Sequence, residues 1–341
     1  MQASSILENT TTPQGTFMKK LLFSAVAIVA ALGAGAAWAD EYPARPVSLM
    51  VPYPAGAASD ITARALQGPM AQALGGQVIV ENLGGANGAL GANRVLSARA
   101  DGYYLFQGSP NELILAGLTN KSVSYKPDAF RMIAPVATSP YVVVTRADLG
   151  AANVDELVAM ARQRSVPLTY GSGGAGSMIH LITEALSRRT GIALTHIPYR
   201  GGAPLITDMA GGQIDFAIMP YQANYDDLRR EGRLKIIGTL NRERLAALPD
   251  VPSVQESASL KDFNYTIWTA YLVKQGTPDA VAQKLHAAVT ASLADPAARK
   301  TLLAQGKILF DPQTPADSAA FYAEQTAALT ELVRASGFTA D

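Results

Sequence analysis

The chain has no cysteine in 341 residues. That excludes a disulfide framework, a thiolate zinc site, an iron–sulfur cluster and a cysteine nucleophile, and with no N-terminal cysteine to acylate it is not a lipoprotein. Charge is scarce and balanced, with 28 Lys+Arg against 28 Asp+Glu. A dedicated nucleic-acid binder would carry a basic excess or stripe, so no nucleic-acid partner is expected. Histidines number three, His180, His196 and His286. None has a second histidine four residues away, so neither a metal site nor a cofactor is expected. Hydrophobic residues make up 48% of the chain, enough for real cores, and the length suggests two domains.

Long apolar runs are also missing, apart from one near the start. Met18-Lys19-Lys20 is followed by the apolar run Leu21 to Ala31 and then by small residues ending Ala37-Trp38-Ala39. Charge, apolar stretch and A-x-A site in that order make a cleavable secretory signal. The run is shorter than the ~20 residues a spanning helix needs. Residues 1–39 are therefore read as an N-terminal extension plus signal peptide, cleaved after Ala39, and the protein as exported to the periplasm. Met1 to Phe17 precede a second plausible start at Met18. Removal of Lys19, Lys20 and Glu8 leaves 26 basic against 27 acidic residues.

From Asp40 onward, strand-like and helix-like segments alternate to the end, the pattern of α/β domains with largely parallel sheets. Strands are expected at 47–51, 78–81, 103–107, 140–145, 167–170, 193–197, 214–219, 234–239 and 267–273. Helical spacing marks 60–74, 154–163, 177–190 and 204–210, with further helices from Asp279, Pro296 and Ala316. A helix is also expected near Ser109, and a short basic one around Leu228. The fold class is α/β in two lobes, each a mostly parallel sheet flanked by helices. Lobe 1 is assigned to 40–143 plus 264–341 and lobe 2 to 144–263, with a cleft between them.

Each lobe has one conspicuous strand–loop–helix junction. The first is Val51-Pro52-Tyr53-Pro54-Ala55-Gly56-Ala57-Ala58-Ser59-Asp60, and the second runs from Leu168 through Tyr170-Gly171-Ser172-Gly173-Gly174-Ala175-Gly176 to Ser177. Free backbone N–H groups and the helix dipole favour an anion at such a place, and small side chains let it approach. Gly-rich turns are also ordinary in this fold class. Gly171-x-Gly173-x-x-Gly176 fits a dinucleotide fingerprint, but the next strand ends His196-Ile197-Pro198-Tyr199, without the acidic residue a ribose needs. A hydrolase elbow centred on Ser172 would require glycine where Tyr170 stands. A Ser172–His180–Asp215 triad can be assembled on paper only. Asp60 caps its helix, pairs with Arg64 or meets an amino or hydroxyl group, capping being preferred. Tyr53, Tyr199, Tyr221 and Trp268 fall at strand ends, where they can wall a cleft or simply pack.

On these residues the chain resembles the substrate-binding receptors of tripartite tricarboxylate transporters, the Bug receptors. The resemblance runs through Tyr42-Pro43-x-Arg45-Pro46, Val51-Pro52-Tyr53-Pro54-Ala55-Gly56, Val80-Glu81-Asn82, Asp101-Gly102-Tyr103 and Tyr170-Gly171-Ser172 with His180. It continues in His196-Ile197-Pro198-Tyr199-Arg200-Gly201, Gly211-Gly212-Gln213-Ile214-Asp215, Leu248-Pro249-Asp250-Val251-Pro252 and Gly276-Thr277-Pro278. It implies a non-enzymatic, monomeric periplasmic binding protein of type II-like architecture. Such a protein closes in Venus-flytrap fashion on a small carboxylate and delivers it to membrane permease subunits. A periplasmic sensor feeding a signalling receptor is the alternative. The ligand contacts implied are Tyr53, Ala57, Ala58, Ser59, Asp60, Ser109, Asn111, Ser172, Gly173, Gly174, Ala175, Gly176 and Ser177, with His180 and Tyr199 added.

The chain departs from the family pattern at Gly56-Ala57, usually a Gly-Gly pair, and at Met178 and Ile179, where small polar residues are usual. Met219-Pro220-Tyr221-Gln222-Ala223-Asn224 also departs from an Asp/Asn-rich stretch. These changes suggest a more apolar pocket. Intact-mass measurement of the protein recovered from a periplasmic fraction should give a chain beginning at Asp40. A mass that retains Met18 to Ala39 would contradict the cleavage reading.

Overall fold

Phe130–Arg146 is a 17-residue strand, almost all of it buried. Its β-branched and aromatic residues suit a pleated surface covered on both sides. It is β4, and most of the architecture is arranged along it. The computed structural model describes residues 42–339. The signal segment Met18 to Ala39 and the expected start at Asp40 lie outside the described residues. The chain divides into two units, Met1–Ala44 and Arg45–Asp341, and the fold is that of the described residues of the second.

The remaining strands are β1 Val47–Val51, β2 Val78–Asn82, β3 Tyr104–Gly108, β5 Leu168–Ser172, β6 Leu194–Pro198, β7 Phe216–Pro220, β8 Leu234–Thr239, β9 Thr266–Lys274 and the short β10 Ile308–Leu309. They form a ten-stranded sheet in the order β2-β1-β3-β9-β4-β7-β5-β6, with β8 and β10 also pairing with β4. Phe130 to Pro140 of β4 pair with β9, and Tyr141 to Thr145 pair with β7. One continuous strand thus serves both halves of the sheet. Pairings β1–β2, β1–β3, β5–β6 and β5–β7 are parallel. The pairings of β4 with β7, β8, β9 and β10, and of β3 with β9, are antiparallel. The sheet is therefore parallel at its flanks and antiparallel at its centre, more mixed than the expected, mostly parallel pattern. The reason is that β4 runs through both halves, and β9 lies antiparallel between β3 and the first part of β4, with no crossover helix to make these central pairings parallel.

The helices are α1 Ala58–Leu74, α2 Ala89–Ser97, α3 Val154–Gln163, α4 Met178–Thr190, α5 Gly202–Ala210, α6 Asn224–Arg230, α7 Asp279–Ala294, α8 Pro296–Ala304 and α9 Pro315–Ser336. Near Ser109 the expected helix is a π-helical turn, Asn111–Leu115, running into Ala116–Thr119. Side chains at the N-cap satisfy the first amides of several helices. Asn153 accepts from Glu156 N on α3, Ser177 from His180 N on α4, and Thr314 forms a capping box with Asp317 on α9. Ala57, at the start of α1, offers no such group.

One apolar core joins β3, β4, β9, α3, α4 and α9, and a second gathers around Val142, Leu205, Met209 and Tyr225. In the first, Phe106 is fully buried and stacks on Phe130 with ring centroids 5.4 Å apart. Trp268 donates its indole N–H to Gln325 Oε1 at 3.0 Å, tying β9 to α9. Truncating Phe106 to alanine removes a full ring from between β3 and β4. The expected loss is about 3–5 kcal/mol of unfolding free energy, measured by urea titration.

Candidate functional site

The first junction is rigid where its sequence is loosest. Asp60, on the first turn of α1, is only 3% exposed. It accepts from the Gly56 amide at 2.8 Å, from Arg64 Nε at 2.9 and 3.1 Å, and from Asn82 Nδ2 at 3.0 Å. Burial alone would raise its carboxyl, but the hydrogen bonds from Arg64, Gly56 and Asn82 outweigh burial and hold it below the usual range. Asn82 also donates to the Tyr53 carbonyl at 3.0 Å. Gln107, at the end of β3, donates to the Ser59 carbonyl at 2.7 Å. The loop is thus pinned from two neighbouring strands, β2 and β3. Asp60 works as a tie within it and pairs with Arg64 as its spacing suggests, but it does not take the preferred capping role, because the N-cap is Ala57 and no side chain caps α1. The amides of Ala58, Ser59 and Asp60 lack a partner among the described residues, as the start of an uncapped helix dictates.

Beneath Tyr53 lies Glu112, fully buried. It accepts from the Tyr53 hydroxyl at 3.0 Å, from Ser109 Oγ at 2.9 Å and from the Ser109 amide. No cation pairs with it among the described residues. Burial pushes its carboxyl up to about 7, against the lowering effect of those hydrogen bonds. Burial, and then the charge of Glu112, raise the Tyr53 phenol well above its ordinary value. Close approach is built in: a Cβ on Gly88 would lie 2.8 Å from Glu112 Cβ.

The second junction is held by histidines. The Gly176 amide donates to His180 Nδ1 at 3.0 Å, and His196 Nε2 lies 2.6 Å from Ser172 Oγ. The two imidazoles stack at 4.2 Å, and Tyr170 stacks on His196 at 5.0 Å. Burial lowers the pKa of both, that of His196 to about 4, where the neighbouring His180 adds to the effect. Ser172 is completely buried, and its Oγ also accepts from the Gly174 amide at 3.0 Å. Asp215 is engaged elsewhere, by Arg146 at 3.0 Å and by the Thr169 amide at 2.8 Å. The paper triad Ser172–His180–Asp215 is not assembled.

The two junctions meet. Asn111 donates from Nδ2 to the Tyr53 oxygen at 3.4 Å, and its Oδ1 accepts from the Met178 amide, the first of α4, at 2.9 Å. Asn87 Nδ2 donates to the Ala175 carbonyl at 3.2 Å. Gly176 has φ +71°, and a Cβ there would fall 2.4 Å from Thr119 Oγ1. Of the residues singled out from sequence, Tyr53, Ser109 and Asn111 therefore share one hydrogen-bonded cluster, which reaches the start of α4 through the Met178 amide. Ala57, Ala58, Ser59 and Asp60 adjoin it through Gln107 and Asn82. Tyr199 faces away: its amide donates to the Ser172 carbonyl at 2.8 Å, but its hydroxyl donates to Asp208 on α5 at 2.9 Å. Burial, with Asp208 second, raises that phenol to about 12. Sequence reasoning passed over Glu112, Gln107 and Asn87. Glu112 could have been noticed as a lone carboxylate leading the apolar run Leu113-Ile114-Leu115. No group of metal-binding side chains is present among the described residues.

The model of the tripartite tricarboxylate transporter family receptors (TctC) matches residues 62–338. The chain belongs to this family. A UPF0065 protein of Bordetella pertussis is 34% identical over 81% of this chain and 85% of its own length. Among solved structures, MatC of Rhodopseudomonas palustris with bound malate superposes with a TM-score of 0.78 at 28% identity, covering 86% of this chain and all of MatC. An R. palustris protein solved with adipate gives 0.80 at 25% identity, covering 88% of this chain and all of its own. The periplasmic binding protein BugD superposes with a TM-score of 0.78 at 30% identity, covering 88% of this chain and all of BugD, and this TctC-family chain is a periplasmic binding protein by family. No described helix is long and apolar enough to cross a membrane.

For this TctC-family receptor the buried carboxyl and the buried imidazoles act oppositely on stability. Glu112 has a raised pKa when folded, so its contribution is fully present below about pH 4.5 and is lost as pH rises towards about 7. His196 has a lowered pKa, so its contribution is present above pH 6.5 and is lost as pH falls towards about 4. In Glu112→Gln only the histidine effect remains. The melting temperature of the variant should therefore fall more steeply than the wild-type value between pH 8 and pH 5. Parallel curves from differential scanning calorimetry would contradict the assignment.

Proposed function

We propose that the protein is a periplasmic receptor that captures a small organic acid between two lobes and hands it to the membrane subunits of a tripartite transporter. The lobes are 40–143 plus 264–341 and 144–263, joined where β4 and β9 cross. The observation that carries this reading is the set of unclaimed amides of Ala58, Ser59 and Asp60 at the start of a 17-residue helix. Aligned N–H groups and the positive end of the helix dipole suit a carboxylate. Membership of the TctC family and neighbours solved with malate and adipate support it. Lobe closure brings the second junction down on the first, with Asn111, Asn87 and Thr119 as the points where they touch.

The closing contacts are hydrogen bonds between polar groups that water satisfies when they part, so each contributes only about 0.5–1.5 kcal/mol. The ligand supplies the rest of the bias towards closure through its differential affinity for the closed form. Binding without chemistry is part of this reading. Ser172 is buried against its histidine, and Glu112 already accepts from three donors.

Thermal melting of the purified protein, unfolded and refolded to shed carried-over ligand, against a panel of carboxylates tests the reading. An acid present at about 100 times its dissociation constant adds about 2.7 kcal/mol, a clear upward shift. Absence of a shift with every acid, together with a shift by amines or neutral solutes, would sink it.

A further inference from the structure

The two junctions are unequal as anion sites. In the second, the Met178 amide is taken by Asn111 Oδ1 at 2.9 Å, the Gly176 amide by His180 Nδ1 at 3.0 Å and the Gly174 amide by Ser172 Oγ at 3.0 Å. The Ser177 amide goes to the Gly174 carbonyl at 3.2 Å and the His180 amide to Ser177 Oγ at 3.4 Å. Between Gly174 and His180 only Ala175 and Ile179 keep an amide without a partner among the described residues. The first junction is the reverse. Three successive amides of α1 are free, and beside them Gln107, only 2% exposed, has an Oε1 with no partner. A buried orphan acceptor of this kind calls for a donor, from ordered water or from a hydroxyl or amine of a ligand whose carboxylate sits on the neighbouring amides.

Side chains deepen the difference. Tyr53 and Ser109 give their hydroxyl protons to Glu112, so neither is free to donate to a second carboxylate. Glu112 itself is a buried acid with no cation beside it, next in sequence to Asn111. When ionised it repels a second negative charge brought to the same place, and when neutral it still offers that charge no cation. Met178, on the far side, is apolar and 2% exposed.

We propose that this receptor selects monocarboxylates: the single carboxylate rests on the start of α1, and Asn111 Oδ1 fills the position at the start of α4 that a second carboxylate would need. The proposal rests on the carboxylate-receptor reading and narrows it. It separates the protein from neighbours solved with malate and with adipate, both dicarboxylates. Asn111 is the specificity-determining residue, a carbonyl oxygen supplied by the chain in place of the ligand's own.

The test uses acids that differ only in the second carboxylate, such as hexanoate against adipate, butyrate against succinate and 2-hydroxybutyrate against malate, titrated calorimetrically into the refolded protein. The wild type should bind at least one monoacid at least ~10-fold more tightly than its diacid partner. Asn111→Ala frees the Met178 amide and should raise diacid affinity until that preference shrinks or reverses. Asn111→Asp, a second variant for use if the alanine protein does not fold, puts a charge at the same place and should depress diacids further. Tighter diacid binding by the wild type overturns the proposal, as does an unchanged preference in Asn111→Ala or a gain of diacid binding in Asn111→Asp. If no acid of any pair binds, the carboxylate-receptor reading itself fails.

Discussion

A strand that crosses from one half of a sheet to the other cannot be repaired locally. β4 pairs with β9 along its first eleven residues, Phe130 to Pro140, and with β7 along the next five. The position of each junction is fixed by the strand it follows. β1 and β3, which carry Tyr53 and Ser109, are registered through β9 onto the first part of β4. β5, which carries Ser172, is registered through β7 onto the second part. The encounter of Asn111 with Met178 is therefore a consequence of backbone pairing spread over the whole sheet. Its precision comes from the ladder, and the side-chain bond reports it.

Hydrogen-bond polarity gives the site its character. Glu112 can only accept when ionised, so Tyr53 must donate to it, and Tyr53 can then accept from Asn111. That turns the Asn111 amide so that its oxygen faces α4. A buried acid thus sets the orientation of a side chain that spans the two junctions, through one intervening phenol. Such a chain is worth more than its separate links, because in a medium of low polarity each bond strengthens the next. On the other side the histidines do comparable work as neutral acceptors and donors, which is why burial holding them uncharged matters to the loop they support.

Most of the strands and helices were legible in the sequence because alternation and helical spacing are local signals. So were the two junctions, whose glycines and small residues mark strand ends, and the family, through motifs spread along the chain. The antiparallel centre was not. Residues 130–139 carry the same buried apolar character as 140–146, but periodicity cannot say that one strand runs through two halves of a sheet. The short β10 was likewise too small to register. Glu112 escaped because an isolated acid before an apolar run reads as a helix end, and only the fold places Tyr53 and Ser109 over it. Tyr199 shows the opposite difficulty: its place at a strand end was visible, but the direction of its hydroxyl depends on Asp208 in the following helix. The role given to Asn111 from the resemblance takes on its partner only when α4 is brought opposite.

At Gly176 the two halves meet backbone to side chain. Its missing Cβ would stand 2.4 Å from Thr119 Oγ1, and its φ of +71° is one that other residues adopt only with strain. The glycine therefore acts as a stop of zero thickness. Its bareness sets how near the second junction can come to the first, and any side chain there would serve as a wedge whose size fixes the smallest gap. The distance of closest approach between the two junctions at this point is written in a single absent methyl group.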